Sequence, residues 1–444
     1  MWRGCLPDRR GVRAILAGIL LAILALTGCA PTPQANVAGY LLARRLGTLT
    51  PSPVTTSGAI TGQVLADGLP LADATVVVAE RTGAPHAAQT DAAGRYILRD
   101  VPPGQYVPAA VAPDYDEAAA TDALGIPRLV TVRAGQSATA PVLRLTRHVP
   151  APLPEPLATT VQLTRTDAYT ASASFPAHAV AEVYTYQYVA DGGLRIDSLR
   201  VYLPPDLPAG RIVPLLFMVY PTPVDDWETV SVAFAAAGYA MVAVSPHPGR
   251  GVDIDAHAQD ARIAFTLART GSLHPALARV DAVVLGGSFS SPILHRLLRD
   301  ERSHVAAWVT VGGISDALTG AADFYAGKLE LSPQYELVVP ALGAPNIYPL
   351  LFLRYSPVYT AAQLPPTLII HTAADKVTPI GQAYELETAL RRAHVPVDVF
   401  YYEDVSHYLQ VGDALSDAGR TMFDRIIVFA RAYQSIPPYT DRQP

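Results

Sequence analysis

The fold of most of this chain is decided by one stretch, Val283-Val284-Leu285-Gly286-Gly287-Ser288-Phe289-Ser290-Ser291. The apolar residues predict the end of a buried strand, and the residues from Pro292 onward predict a helix. A serine between a strand and a helix lies at a sharp turn, where neighbours two positions away must be small because strand and helix pass close together. Gly286 and Ser290 meet that requirement. A motif this short also fits a loop serine that caps the helix. Other residues must therefore decide whether Ser288 is a nucleophile or a helix cap.

Length and composition indicate a globular chain with more than one domain. The sequence has 444 residues, of which 50% are hydrophobic and 16% charged, and its formal net charge is −6. A chain of this length can bury a large core and predicts two or more domains. Because Lys and Arg do not cluster beyond the N-terminus, nucleic acid is not an expected partner.

The first 28 residues have the pattern of an export signal. Four arginines precede an apolar run of 13 residues, 14–26, which is short for a membrane span. Leu26-Thr27-Gly28-Cys29 closes the run and resembles the bacterial lipobox. The resemblance implies lipidation of Cys29 and an exported cell-envelope lipoprotein, anchored on the extracytoplasmic side of a membrane. Cys5 would leave with the signal, so no thiol would remain for a disulfide or a metal. The alternative is an anchor helix with an incidental cysteine.

Residues 29–57 are rich in Pro, Thr and Ser and predict a tether. From 58 to 147 short β-branched segments alternate with turns, which predicts a small β-sandwich. The patterns Ala74-x-Val76-x-Val78, Thr90-Asp91-x-x-Gly94-x-Tyr96 and Pro103-Gly104-x-Tyr106 resemble the carboxypeptidase regulatory-like (transthyretin-like) domain. We expect a structural or interaction module, which could contact a cell-surface partner.

Residues 148–160 begin with four prolines in nine positions and predict an extended linker. Residues 161–440 then alternate strands and helices, beginning with an antiparallel pair around Asp191-Gly192-Gly193. This alternation predicts a doubly wound, mostly parallel sheet with helices on both faces. The chain is therefore expected to be multidomain: a small all-β sandwich followed by an α/β domain, whose active site lies at the carboxyl ends of the strands.

Two further side chains at strand ends complete a Ser-His-Asp set. Asp375 follows the predicted strand 367–371, and His407 follows the predicted strand 397–402. Acyl transfer by serine needs a base to take the hydroxyl proton and a carboxylate to orient that base. Serine, aspartate and histidine in this chain order are the arrangement of the α/β-hydrolase family. We therefore predict Ser288 as nucleophile, His407 as base and Asp375 as orienting acid.

Other acids and bases compete for these roles. Asp316 follows the strand before a long insertion, and Asp404 lies only three residues from His407. His371, at a strand end, is expected to tie its own loop. No pair of histidines has metal-ligand spacing beside suitable carboxylates, so neither a metal nor another cofactor is expected.

The oxyanion of a serine hydrolase needs two N–H donors. Phe289, directly after the serine, is expected to supply one. The loop after the strand 213–220 reads Tyr220-Pro221-Thr222-Pro223 and lacks the His-Gly-Gly that related enzymes often carry. Proline has no N–H, which leaves Tyr220 and Thr222, and we favour Thr222.

Gly286-Gly287-Ser288-Phe289-Ser290-Ser291, His371 with Asp375, and Val405-Ser406-His407 resemble the catalytic domain of the prolyl oligopeptidase (S9) family and related bacterial esterases, over residues 180–435. The resemblance implies a serine hydrolase of small-molecule ester or peptide substrates. The chain has no room for the β-propeller that oligopeptide-selective members carry, so ester and amide both stay open. The insertion 312–364, whose aromatic residues include Phe324, Tyr325, Tyr335, Tyr348 and Phe352, predicts a lid or packing against the sheet. The rival hypothesis is an inert hydrolase fold that serves as a surface binding protein.

Overall fold

The computed structural model describes residues 32–46, 56–155, 157–277, 281–333, 335–407 and 417–439. The predicted export signal and Cys29 lie outside these residues, as does the stretch 47–55 of the predicted tether. Among the described residues, no helix combines the length and the apolar character needed to cross a membrane.

Residues 58–145 form the predicted β-sandwich. Strand β1 pairs with β2, β5, β10 and β11, and a second sheet has the order β4-β3-β7-β8. The strands are β1 Gly58–Ala66, β2 Leu69–Pro70, β3 Thr75–Ala79, β4 Pro85–Gln89, β5 Arg95–Val101, β6 Gly104–Tyr106, β7 Ala109–Val111, β8 Ala118–Ala119, β9 Val130–Val132, β10 Ser137–Thr139 and β11 Leu143–Leu145.

Strand β3 is buried on both faces, which explains its unbroken apolar sequence. Side chains alternate along a strand, and Val76 and Val78 belong to the core of the sandwich itself. Val77 and Ala79 point the other way, into the core of the second domain. The sandwich and the second domain therefore share buried apolar surface.

In the described part of the second domain, nine strands form one sheet in the order β12-β13-β14-β16-β15-β17-β18-β19-β20. Strands β12 to β14 are antiparallel, and the six from β16 to β20 in that order are parallel. The strands are β12 Gln162–Ser172, β13 His178–Ala190, β14 Gly193–Leu203, β15 Leu215–Val219, β16 Ala240–Val244, β17 Ala282–Gly287, β18 Val305–Val311, β19 Thr367–Thr372 and β20 Val397–Tyr402.

Helices cover both faces of this sheet. On one face lie α4, α5 and α9, and on the other lie α3 and α10. Strand order and helix placement confirm the predicted α/β-hydrolase fold. The helices are α1 Pro33–Leu46, α2 Leu157–Thr160, α3 Glu228–Ala236, α4 Ile254–Arg269, α5 Ser290–Glu301, α6 Ala317–Tyr325, α7 Val338–Ala341, α8 Pro349–Leu353, α9 Gly381–Arg392 and α10 Asp417–Tyr433. Four 3-10 helices join them: Val224–Trp227, Pro248–Arg250, Arg302–His304 and Pro357–Gln363.

Part of the predicted tether is not extended. Pro33–Leu46 forms helix α1, which packs on the insertion between β18 and β19. The Asn36 amide donates to Pro340 O at 2.9 Å, and Arg44 pairs with Glu336 at 2.6 Å. The Tyr40 ring lies 5.3 Å from the ring of Phe324. These contacts hold the helix on the insertion, while its three leucines, Leu41, Leu42 and Leu46, stay exposed.

The predicted linker follows the surface of the second domain. The two ring nitrogens of His148 contact Asp116 at 2.8 Å and Asp300 at 2.7 Å. Ala151 O accepts a hydrogen bond from Arg262 of helix α4. This proline-rich stretch therefore joins the two domains without separating them.

Charged residues close the interface between the sandwich and the second domain. Glu117 of the sandwich pairs with Arg296 at 3.2 Å, Arg299 at 2.7 Å and Arg354 at 3.0 Å. Arg296 and Arg299 belong to helix α5, which follows Ser288, and Arg354 belongs to the insertion. One buried carboxylate thus ties the sandwich to two elements of the second domain.

Candidate active site

Ser288 lies at the sharp turn that the sequence predicts. Strand β17 ends at Gly287, helix α5 begins at Ser290, and Ser288 has a φ of +50°. That conformation is strained for a residue with a side chain, at a cost of roughly 1–3 kcal/mol. The Ser288 N–H donates to Gly312 O at 3.1 Å. The fold therefore holds this serine in a conformation that the isolated chain would avoid.

The glycines before Ser288 are required by close contacts. A Cβ on Gly287 would lie 2.1 Å from Val311 O, a backbone atom of the neighbouring strand β18. A Cβ on Gly286 would lie 2.6 Å from Leu294 Cδ1 and 3.4 Å from Ser290 Cβ. The close passage of strand and helix thus accounts for the small residues Gly286 and Ser290. Gly287 is required instead by the close approach of the neighbouring strand β18.

The structure brings Ser288, His407 and Asp375 into one hydrogen-bonded row. His407 Nε2 lies 3.1 Å from Ser288 Oγ, and His407 Nδ1 lies 2.6 Å from Asp375 Oδ2. The side chain of Asp375 is fully buried and that of His407 is 7% exposed. With a carboxylate accepting at Nδ1, Nε2 is left to accept the serine proton.

Backbone groups fix the acid and the histidine loop. The Val377 and Thr378 N–H groups each donate to Asp375 Oδ1 at 2.8 Å, which leaves Oδ2 for the histidine. Thr372 Oγ1 donates to Val405 O at 2.5 Å and joins the two loops. The sequence analysis did not identify these residues. The signal was present, since an aspartate often accepts from the N–H groups two and three positions ahead.

The competing acids and bases lie elsewhere. Asp316 is buried, caps helix α6 through Leu318 N–H at 2.8 Å and accepts from Tyr359 Oη at 2.8 Å. Asp404 is exposed. His371 Nδ1 accepts from the N–H of Thr372 at 2.9 Å, and burial lowers the pKa of its imidazole. His371 thus ties its own loop, as expected.

The two predicted oxyanion donors, Phe289 and Thr222, both line the cavity beside Ser288. The alternative donor, the Tyr220 N–H, donates to Val244 O at 2.8 Å within the sheet and is therefore committed. The Thr222 side chain accepts from Trp227 Nε1 at 2.7 Å, which holds this loop beside the cavity. Thr222 therefore stays the predicted second donor.

A cavity of about 460 Å³ opens beside Ser288 and His407. Apolar side chains form most of its wall, among them Trp227, Phe234 and Phe352. Asp226, which is exposed, also borders it. Among the described residues that line the cavity there is no lysine, arginine or glutamate. The cavity therefore suits an uncharged, apolar group.

The insertion 312–364 forms one wall of this cavity and also packs outward. Of its predicted lid aromatics, Tyr335 and Phe352 line the cavity. Phe324 and Tyr325 instead contact Tyr40 of helix α1. The inner face of the insertion therefore borders the cavity and its outer face packs on helix α1, while the lid stays a prediction.

No group of three or more His, Cys, Asp or Glu side chains that could hold a metal ion occurs in the part of the chain that the structure describes.

Two comparisons of the sequence with known proteins give a match. Residues 59–146 match the carboxypeptidase regulatory-like domain family. Over 181 residues the chain is 26% identical to the Uncharacterized peptidase YtmA of Bacillus subtilis. The matched residues are 40% of this chain and 68% of that protein.

The solved structures that are similar to the chain include an esterase and an acylaminoacyl peptidase. An esterase from Thermogutta terrifontis, in its butyrate-bound form, is 16% identical with a TM-score of 0.43, over 56% of this chain and 94% of the esterase. The acylaminoacyl peptidase of Pyrococcus horikoshii is 14% identical with a TM-score of 0.43, over 81% of this chain and 54% of that protein. At these TM-scores the fold assignment rests on the strand order. The chain therefore carries a carboxypeptidase regulatory-like domain ahead of an α/β-hydrolase domain.

Proposed function

We propose that this protein is a serine hydrolase in which Ser288 is the nucleophile, His407 the general base and then acid, and Asp375 the orienting carboxylate. The observation that carries the proposal is the row of two hydrogen bonds, 3.1 Å from serine to histidine and 2.6 Å from histidine to aspartate, beside an open cavity. Its members lie within hydrogen-bonding distance, as nucleophilic catalysis requires.

In the first half of the reaction, Ser288 Oγ attacks the substrate carbonyl carbon while His407 Nε2 takes the hydroxyl proton. The carbonyl oxygen becomes an oxyanion, and the N–H groups of Phe289 and Thr222 donate to it. Asp375 stabilises the imidazolium, since its Oδ2 accepts from Nδ1. When the tetrahedral intermediate collapses, His407 returns the proton to the leaving group and an acyl-Ser288 ester remains.

In the second half, water attacks the acyl-Ser288 ester. His407 takes a proton from that water, the oxyanion forms again at the same donors, and collapse regenerates the Ser288 hydroxyl. The acid leaves and no cofactor takes part.

We infer that the substrate is an ester of an apolar acyl group rather than a charged peptide. Burying apolar surface provides most of the binding free energy in a site with such walls. A charged peptide terminus would lose its hydration there without gaining a partner, because Asp226 is the one acidic residue among the described lining residues and it is exposed. Cleavage of an apolar ester therefore requires no group that the cavity lacks, whereas binding of a charged peptide terminus would.

Labelling with a fluorophosphonate probe tests the proposal. We expect wild-type protein to be labelled and Ser288→Ala and His407→Ala to be unlabelled. Ser290→Ala is the matched control, since Ser290 is a buried serine two positions away that does not line the cavity. An unlabelled wild type that is folded and whose cavity admits the probe would support the inert binding protein instead.

We also propose that Cys29 carries lipid and that the hydrolase acts outside the cytoplasm. The support is the apolar run 14–26 that ends in Leu26-Thr27-Gly28-Cys29. Metabolic labelling with an alkyne fatty acid in a bacterial host tests this. Label that persists in Cys29→Ser would contradict the assignment.

A further inference from the structure

We propose that the β-sandwich sets the size of the cavity beside Ser288 by supporting helix α6 through Gly83, which acts as the positioning residue. The inference goes beyond the proposed function but rests on it, because it concerns which acyl group Ser288 transfers. It gives the carboxypeptidase regulatory-like domain a defined role in substrate selection.

The inner face of helix α6 borders the cavity. Ala317, Gly320 and Ala321 line it, and their spacing of three and four residues puts them on one face of the helix. A Cβ on Gly320 would meet no atom within 4 Å. Small residues on this face therefore leave room for the acyl group, and the position of the helix axis determines how much.

An adjoining face of the same helix, formed by Leu318, Ala321 and Ala322, contacts the sandwich, so Ala321 belongs to both faces. Gly83 lies in the turn between β3 and β4 with a φ of +103°. A Cβ on Gly83 would lie 2.6 Å from Ala322 N, 2.7 Å from Leu318 O and 2.8 Å from Ala321 Cβ. Two of these are backbone atoms of helix α6 and cannot rotate away. A side chain at position 83 must therefore displace either the helix or the turn.

The sandwich is held against the insertion on several sides, so the turn has little freedom to retreat. Val77 and Ala79 of β3 share an apolar core with the insertion. Asn346 Nδ2 donates to Gln105 O at 2.9 Å, and Asn346 O accepts from Val107 N–H at 2.8 Å. Glu117 pairs with Arg354 at 3.0 Å. The open side of helix α6 is the cavity, so the helix yields in that direction.

A narrower cavity selects against long acyl chains. Each methylene that a pocket buries contributes about fourfold to kcat/KM, so lost room for one or two methylenes gives about a four- to sixteenfold penalty. Short acyl groups, which do not reach helix α6, are spared. The ratio of kcat/KM for octanoate to that for butyrate esters therefore measures the position of the helix and is insensitive to the fraction of active protein.

The test compares Gly83→Ala with Gly68→Ala in the full chain. Gly68 has a φ of +82° in the same sandwich, but a Cβ there would meet no atom within 4 Å. Both substitutions strain a left-handed turn, and only one touches helix α6. With p-nitrophenyl butyrate and octanoate, we expect the octanoate-to-butyrate ratio of kcat/KM to fall at least about fourfold in Gly83→Ala and to stay within twofold of wild type in Gly68→Ala.

Fluorophosphonate labelling of every variant separates this inference from the proposed function. If wild type and Gly83→Ala are both labelled and share the same ratio, the inference is overturned and the hydrolase assignment stands. If wild type is unlabelled and cleaves neither ester, the hydrolase assignment fails. The inference is then tested by binding: octanoate and butyrate esters compete with a fluorescent apolar probe for the cavity. A ratio of the two affinities that is the same in Gly83→Ala and in wild type overturns the inference.

A second variant covers the case in which Gly83→Ala does not fold. Asn346→Ala removes the hydrogen bond to Gln105 O that ties the insertion to the sandwich. We expect the ratio to change by at least twofold, because the insertion is then less firmly held against the cavity. A ratio that stays within twofold of wild type in a folded Asn346→Ala overturns the proposal.

Discussion

Replacing Glu117 by glutamine removes the charge that joins the sandwich to helix α5 and the insertion, and keeps the size of the side chain. Burial alone would raise the pKa of the Glu117 carboxyl, but the positive charges of Arg296, Arg299 and Arg354 outweigh it and lower the pKa from 4.5 to about 2. One pKa unit corresponds to about 1.4 kcal/mol. The folded protein therefore gains about 3 kcal/mol of stability from the ionised form of this carboxyl.

The sign of the pH dependence follows from the lowered pKa. A carboxyl whose pKa is lower in the folded state stabilises the protein above its unfolded pKa of 4.5, and the contribution is lost as the pH falls from 4.5 towards 2. At pH 3 about 1.4 kcal/mol remains by the same linkage relation. The loss in Glu117→Gln stays near 3 kcal/mol at pH 7, since Arg296 and Arg354 each keep a second carboxylate, that of Asp255.

Urea unfolding at pH 7 and pH 3 measures this effect. Two of the three tryptophans, Trp227 and Trp308, report on the α/β-hydrolase domain by fluorescence, and far-UV circular dichroism reports on both domains. We expect Glu117→Gln to lower the free energy of unfolding by about 3 kcal/mol at pH 7 and by about half of that at pH 3. We also expect the urea midpoints measured by fluorescence and by circular dichroism to differ in the variant, because the two domains are then less tightly coupled.

Glu80→Gln is the matched control. Glu80 lies in the same sandwich and contacts His86 at 3.1 Å in a partly exposed pair, for which we expect a loss of less than about 1 kcal/mol. The reasoning is refuted if Glu117→Gln costs no more than Glu80→Gln at pH 7. It is also refuted if the cost of Glu117→Gln is the same at pH 7 and pH 3.

Three further substitutions test the site. Asp375→Asn should lower kcat about 10⁴-fold and leave KM of an ester nearly unchanged, because the imidazole loses its orienting acceptor; steady-state kinetics measures both. His371→Gln should keep kcat within about tenfold of wild type, because His371 lies outside the hydrogen-bonded row; loss of activity equal to that of His407→Ala would contradict this. Gly287→Ala should abolish fluorophosphonate labelling and lower the melting temperature, because its Cβ would lie 2.1 Å from Val311 O; a labelled, equally stable variant would show that the turn is less tight than described.

The α/β part of the fold could be predicted because its signals are local. Buried parallel strands appear as largely apolar runs, and the predicted strand 367–371 is observed at Thr367–Thr372 with every residue buried. The edge strand Val397–Tyr402 also begins and ends where the sequence predicts. The tether was predicted less well. Pro33–Leu46 forms a helix that packs on a distant insertion, and its Asn36 bonds to Pro340, which lies 304 positions further along the chain. No local pattern in that segment indicates such a partner.

For the candidate site, the order of Ser288, Asp375 and His407 was sufficient to identify three residues that the structure brings together. Backbone donors are harder to predict, since every residue but proline has one. The sequence left both Tyr220 and Thr222 open and favoured Thr222, and the structure adds that the Tyr220 N–H is bonded to Val244 O. The contact of Gly83 with helix α6 joins residues more than 230 positions apart and left no signal beyond the glycine itself.

The ion pairs of Glu117 also bear on the order of folding. Its contacts with Arg299 and Arg354 span 182 and 237 residues of chain, and closing loops of that length slows folding. During synthesis the sandwich leaves the ribosome well before the insertion, so Val77 and Ala79 must wait for their apolar partners. We therefore expect the nascent sandwich to expose the apolar face of β3 until the insertion has been synthesised. During that interval a chaperone that covers apolar surface would do most to prevent aggregation.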